Sequence, residues 1–156
     1  MRVIEILATQ PTLNERIGLV NGISFIRFDR DKLQSSKEHL DDKTGIYILF
    51  GMDTHYIGES DDLYKRLVDH DRQKDFWDYA ICFASDTFSK SSIVFLERTL
   101  IDKFKELELP LENKTIGFNH KISFMEQAKC TNSLTDIFDI INMLKIHKPY
   151  MKYLDL

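Results

Sequence analysis

Two short blocks of this 156-residue chain, Gly45-Ile46-Tyr47 and Tyr56-Ile57-Gly58, constrain its fold more than any other feature. The residues between them are rich in turn formers and the flanks in β-branched and aromatic residues, a pattern that predicts an antiparallel hairpin. If Phe50 faces His55, then Leu49 faces Tyr56. Since side chains alternate along a strand, both motif tyrosines then share one face of the sheet. The alternative is ordinary strand tyrosines that pack a half-buried sheet.

Length and composition indicate one domain that spans 1–156. The net charge of −4 requires that any nucleic-acid partner meets a local basic patch. Cys82 and Cys130 lack metal-ligand spacing and favour buried thiols in a reducing compartment. Apolar runs fall short of the ~20 residues that cross a bilayer, and the amino terminus lacks a signal-peptide pattern. We therefore expect a cytoplasmic protein with no membrane partner.

The domain divides into three segments along the chain. Segment 1–43 is a strand-rich extension, in which Asn21-Gly22 predicts a hairpin turn and the polar end a helical turn near 31–34. Segment 44–119 is the core and segment 120–156 is helical, with Pro110 and Pro149 as helix-ending signals. Beyond the hairpin, we expect helices at about 60–70, 91–108, 124–128 and 133–146 and a strand near 79–84.

The helix predicted at 60–70 carries two basic side chains on one face. Ser60 is the expected N-cap, and two aspartates follow it. Arg66 and His70 are four residues apart, so the guanidinium and the imidazole stack where a phosphate could bridge them. Lys65, Arg72 and Lys74 add local positive charge, as contact with a nucleic-acid backbone requires. The alternative is a solvated basic face.

The long helix at 91–108 contains a carboxylate on its apolar side. Glu97 falls inside a stripe of apolar residues at helical spacing: Ile93, Leu96, Leu100, Ile101 and Phe104. A carboxylate on a core-facing stripe is costly unless it is paired, hydrogen-bonded or bound to metal, which makes Glu97 a site candidate. A structural ion pair is the alternative. Asn113 and Asn119 follow in loops, where either could bind a phosphate or simply form a turn.

In this order, Gly45-Ile46-Tyr47, Tyr56-Ile57-Gly58, Arg66, His70, Glu97 and Asn113 resemble the GIY-YIG nuclease superfamily over about half of the chain. The neighbouring sequence is similar to a poorly characterised bacterial branch that has a strand-rich segment before the nuclease core. The resemblance implies an α+β fold, with a small antiparallel sheet of about three strands flanked by helices. An N-terminal β-hairpin extension and C-terminal helices would complete it.

The resemblance also implies an activity: hydrolysis of DNA phosphodiester bonds by an endonuclease with one divalent metal, Mg²⁺ or Mn²⁺. Glu97 would be the metal ligand, and Arg66 would bind the scissile phosphate. Tyr47 and Tyr56 would position or deprotonate the attacking water. His70 would relay a proton or contact phosphate, and Asn113 would match the polar residue after the metal helix, with Asn119 as its alternative.

One position departs from part of the family. Some members carry a Lys three residues after the second motif tyrosine, where this chain has Glu59. We expect Glu59 to support the site indirectly or to pair with Arg66, with no catalytic role. The alternative function is a catalytically inactive module of the same fold that binds nucleic acid or protein. Cutting both strands with one small site would call for a homodimer, although no motif in the sequence specifies one.

Overall fold

The computed structural model describes residues 5–9, 16–114 and 122–144. The described fold is α+β, as predicted. Its strands are β1 (Glu5–Thr9), β2 (Arg16–Val20), β3 (Ile23–Asp29), β4 (Gly45–Gly51), β5 (His55–Ser60) and β6 (Trp77–Ala84). Its α-helices are α1 (Lys37–Leu40), α2 (Leu63–Gln73), α3 (Lys90–Glu106) and α4 (Phe124–Leu144), and two 3₁₀ turns, Arg30–Lys32 and Gln34–Ser36, precede α1.

The six described strands form one antiparallel sheet in the order β1-β2-β3-β6-β4-β5. The prediction of about three strands is therefore wrong. The N-terminal strands join the core sheet because β3 pairs with β6 from Ser24↔Ala84 to Asp29↔Tyr79. Phe25 is buried on one face of β3 and Phe28 on the other, which suits an interior strand.

Helices cover both faces of the sheet and create two apolar cores. Side chains of α3 and α4 pack on one face, which includes Ile46, Ile48 and Phe50 of β4. Residues of α1, α2 and the 3₁₀ region pack on the opposite face, which includes Tyr47 and Leu49. Every residue of β4 is buried because this strand lies between two others and beneath two helical layers. The first motif tyrosine is thus held in the interior.

The helices differ from the prediction at their ends. Asp62, not Ser60, caps α2, because its carboxylate accepts the N–H of Lys65. Two separate C-terminal helices were expected, but α4 runs without interruption through residues 129–132, where the Thr131 hydroxyl donates to the Gln127 carbonyl. Cys82 and Cys130 are buried free thiols, as predicted. No helix among the described residues is both long enough and apolar enough to span a bilayer.

Candidate active site

The hairpin of β4 and β5 has the predicted register. Leu49 lies opposite Tyr56, and Phe50 lies opposite His55. Tyr47 and Tyr56 consequently lie on the same face, with ring centroids 6.3 Å apart and ring planes inclined by 23°. Tyr47 is completely buried, whereas Tyr56 is partly exposed. The Tyr47 phenol thus lies on the buried side of the site, and the Tyr56 phenol beside it lies on the solvent side.

Gly58 makes room for the inner phenol. It lies opposite Tyr47 across the hairpin, and the Tyr47 side chain crosses directly over it. A Cβ atom at position 58 would lie 2.2 Å from the Tyr47 hydroxyl oxygen and 2.3 Å from Cζ. The glycine of the second block is therefore a packing partner of the tyrosine in the first block. Sequence reasoning missed this pairing, although the predicted register already placed the two residues opposite each other.

Helix α2 brings Arg66 and His70 to this face. The Tyr47 hydroxyl is 2.6 Å from Nε2 of His70, and the Tyr56 and His70 ring centroids are 5.0 Å apart. The Arg66 guanidinium lies within electrostatic reach of both tyrosine side chains. His70 is buried, while Arg66 is exposed at the opening. The spacing of four residues therefore does bring the guanidinium and the imidazole together, and both meet the phenols.

Burial and charge fix the protonation of the two buried groups. Burial raises the pKa of Tyr47, with the nearby Arg66 guanidinium acting in the opposite direction. Burial, together with the positive charges of Arg66 and Lys74, lowers the pKa of His70 to about 4. Near neutral pH the phenol is thus protonated and the imidazole neutral. The direction of the hydrogen bond between the Tyr47 hydroxyl and Nε2 of His70 is then set by which ring nitrogen carries the proton.

Glu97 reaches the same region from the other layer. All five apolar residues of its predicted stripe are buried, and Glu97 itself is half-buried on α3. Its carboxylate lies near the backbone of Glu59, on edge strand β5. Burial and the nearby Glu59 charge raise the pKa of Glu97 to about 7, against the charges of Lys90 and Arg66. The Glu97 carboxylate thus lies at the sheet edge, with charges of both signs close to it.

Glu59 pairs with Lys90 and not with Arg66. The Lys90 ammonium lies 2.8 Å and 2.9 Å from the two carboxylate oxygens of Glu59. Lys90 is the first residue of α3, and its side chain is 60% exposed. The backbone of Glu59 thus lies near Glu97, and its side chain pairs with Lys90.

Asn113 closes the edge of β5. Its Nδ2 donates to the Ile57 carbonyl at 2.8 Å, and its Oδ1 accepts the Ile57 N–H at 3.0 Å. His55 is held in a similar way, because its N–H donates to Pro110 and its carbonyl accepts from Glu112. Both atoms of the Asn113 amide are therefore engaged with backbone. Its alternative, Asn119, lies outside the described residues.

The site offers few groups for a metal. Within the described parts of the chain, no cluster of three or more His, Cys, Asp or Glu side chains has the arrangement of a metal site. The half-buried Glu97 carboxylate, with Glu59 close enough to raise its pKa, does suit a hard cation. Mg²⁺ keeps several waters and often takes its remaining ligands from substrate phosphates, so one protein carboxylate is compatible with it.

One residue at this site was recognised only as part of a basic stretch. Lys74 lies with its ammonium 4.5 Å from the Tyr56 ring centroid. The signal that could have found it is the continued spacing of four from Arg66 through His70. Comparison of the chain with models of protein families, with curated proteins and with solved structures found no match.

Proposed function

We propose that this protein is a divalent-metal-dependent DNA endonuclease. The observation that carries the proposal is the convergence of Tyr47, Tyr56, Arg66 and His70 on one face of the hairpin. Glu97 lies within electrostatic reach of Tyr47 and Arg66 from the opposite layer. A cation, two phenols, an imidazole and a carboxylate thus lie within electrostatic reach of one another near the β5 edge. This set of groups suits hydrolysis of a phosphodiester.

Arg66 is the proposed phosphate-binding group. Its side chain is exposed and lies within electrostatic reach of both tyrosines. A planar guanidinium can bind two phosphate oxygens at once and stabilise the negative charge that develops on them. An exposed guanidinium beside the two phenols is therefore accessible to a phosphate of the DNA backbone.

The two phenols have different environments and therefore different proposed roles. Tyr47 is buried and hydrogen-bonded to His70, so it connects the site to a neutral imidazole that can accept a proton. Tyr56 is partly exposed and can contact the attacking water. A phenol with an ordinary pKa of about 10 is a weak base at neutral pH, so nearby positive charge is needed for it to take a proton.

Glu97 is the proposed protein ligand for Mg²⁺ or Mn²⁺. Such an ion, when bound, polarises a phosphate oxygen and lowers the pKa of a coordinated water. The pKa of about 7 for Glu97 means that its ionised form becomes dominant only above neutral pH in the free protein. We therefore expect binding of the ion to release a proton near neutral pH.

The test is cleavage of a plasmid by purified protein with Mg²⁺ or Mn²⁺, at several salt concentrations. We expect Glu97→Gln to abolish cleavage, because it keeps the side-chain shape but removes the charge. Glu106→Gln is the matched control, since Glu106 is an exposed residue at the end of the same helix. Equal cleavage by the wild type and Glu97→Gln would show a contaminating nuclease and refute the proposal.

The second candidate is a non-catalytic module that binds nucleic acid or protein. It is favoured by the pKa of about 7 for Glu97, because a carboxylate that is largely protonated near neutral pH is a weak metal ligand. This candidate predicts salt-sensitive DNA binding that Glu97→Gln leaves unchanged, with no cleavage in any metal. Metal-dependent cleavage that is lost in Glu97→Gln excludes it.

A further inference from the structure

Lys74 lies at the end of helix α2, and its side chain reaches the site. It is the C-cap residue, with an extended backbone (φ −126°, ψ 128°), and its N–H donates to the His70 carbonyl at 2.9 Å. The indole N–H of Trp77 approaches the same carbonyl at 3.5 Å. The backbone is thus tied to His70 where the helix ends. From this position the half-buried Lys74 side chain places its ammonium 4.5 Å from the Tyr56 ring centroid.

Two cations face His70, and the groups around it come from three elements. Arg66 and Lys74 at the two ends of its helix face favour the neutral imidazole, whereas the Asp69 carboxylate favours the charged form. Tyr47 approaches from β4 and Tyr56 from β5. Within the described residues, Nδ1 of His70 is buried and has no hydrogen-bond partner. The charged ring carries an N–H on both nitrogens, so its Nδ1–H would be buried without an acceptor among the described residues, between two cations.

The protonation of His70 determines the direction of its hydrogen bond with Tyr47. A neutral imidazole with its proton on Nδ1 accepts from the Tyr47 hydroxyl through Nε2, whereas one with its proton on Nε2 donates to the Tyr47 oxygen. An imidazolium donates from both nitrogens, so the Tyr47 oxygen could then only accept from it. A neutral His70 is therefore required for Tyr47 to pass its proton toward the imidazole.

We propose that Lys74 is a further residue of this site, a positioning residue that fixes the Tyr56 ring and, together with Arg66, keeps the His70 imidazole in the neutral form, whose Nε2 can accept from Tyr47. A cation above a phenol ring is attracted by the negative ring face, which restrains the ring. The same ammonium opposes a proton on His70. The consequence for catalysis rests on the proposed nuclease function, but the effect on His70 does not.

The first measurement is an NMR titration of the His70 ring in the full chain, with the resonance assigned from a His70→Gln variant. We expect Lys74→Met to move the His70 midpoint upward, from about 4 toward the ordinary value of 6.5. Lys74→Arg restores the charge, and we expect it to return the midpoint close to that of the wild type. Lys105→Met is the control, because Lys105 is exposed near the far end of α3. An unchanged midpoint in Lys74→Met would overturn the proposal.

The second measurement is the pH profile of kcat for DNA cleavage. Lys74→Met should lose activity several-fold on the acid side and approach wild-type kcat at higher pH, with recovery in Lys74→Arg. A simple phosphate contact predicts instead a change in KM and in salt dependence at every pH, which would refute the positioning role. If the wild-type chain cleaves no DNA, the nuclease proposal fails, and the His70 midpoint alone then decides whether Lys74 acts on this ring.

Discussion

Replacing Gly58 with alanine tests whether the two sequence blocks are locked together by packing. The new Cβ atom would lie 2.2 Å from the Tyr47 hydroxyl oxygen, 2.3 Å from Cζ and 2.9 Å from Cε1. Tyr47 cannot give way easily, since it is fully buried on an interior strand. The ring must therefore move away from position 58, and a hydroxyl only 2.6 Å from His70 cannot keep that contact.

The expected cost combines three effects. Overpacking a close-packed core costs about 1–3 kcal/mol. Loss of the buried Tyr47–His70 hydrogen bond adds about 1–3 kcal/mol. Alanine in a strand interior is favoured over glycine by roughly 0.5–1 kcal/mol, which acts in the opposite direction. We therefore expect Gly58→Ala to lower the free energy of unfolding by about 3 kcal/mol.

Urea unfolding of four proteins measures this effect: the wild type, Gly58→Ala, Tyr47→Leu and the double variant. Leucine has no atoms at the ring positions that meet Cβ, so Gly58→Ala should cost little or stabilise in the Tyr47→Leu background. The two substitutions should thus be strongly coupled, as residues in contact usually are. If Gly58→Ala costs the same in both backgrounds, or stabilises the wild type, the contact with Tyr47 does not explain the glycine.

Two further predictions concern the β5 edge. Asn113→Ala removes both hydrogen-bond partners of the Ile57 backbone, so it should lower the free energy of unfolding, measured in urea, by about 1–3 kcal/mol. Asn113→Asp should be intermediate, because it keeps the acceptor for the Ile57 N–H. Equal stability of the wild type and both variants would contradict a role for Asn113 in holding the edge of β5. The pKa of Glu97 is raised from 4.5 to about 7 in the folded protein, so its stabilising contribution is present below pH 4.5 and is lost as pH rises through 7. Glu97→Gln should therefore gain stability relative to the wild type across this range, on the order of 1 kcal/mol after allowance for solvent screening, and a pH-independent difference would refute the assignment.

Local features were predictable from the sequence. The register of the β4–β5 hairpin follows from a four-residue connection and a strict side-chain alternation, so it places both tyrosines correctly. The Arg66 and His70 side chains meet because residues four apart lie on one helix face. In both cases the geometry is set by residues close together in the chain.

Long-range pairings were not predictable. The pairing of β3 with β6 joins residues at least fifty positions apart, and β-branched and aromatic composition specifies neither the partner nor the edge. The hydrogen bonds of Asn113 to Ile57 have the same character, since a loop asparagine gives no indication of the strand it will contact. The uninterrupted helix α4 has a different cause: two helices were predicted with residues 129–132 between them, but Thr131 satisfies its hydroxyl within the helix.

The closure of the β5 edge also has a consequence for self-association. An edge strand with free N–H groups is a template on which another chain can add a strand and begin to aggregate. Here the outward N–H groups of His55 and Ile57 are bound by the Pro110 carbonyl and the Asn113 side chain. A strand from another chain would have to displace these bonds before it could pair with β5 at these two positions. The loop after α3 therefore occupies part of the edge on which such a strand would add.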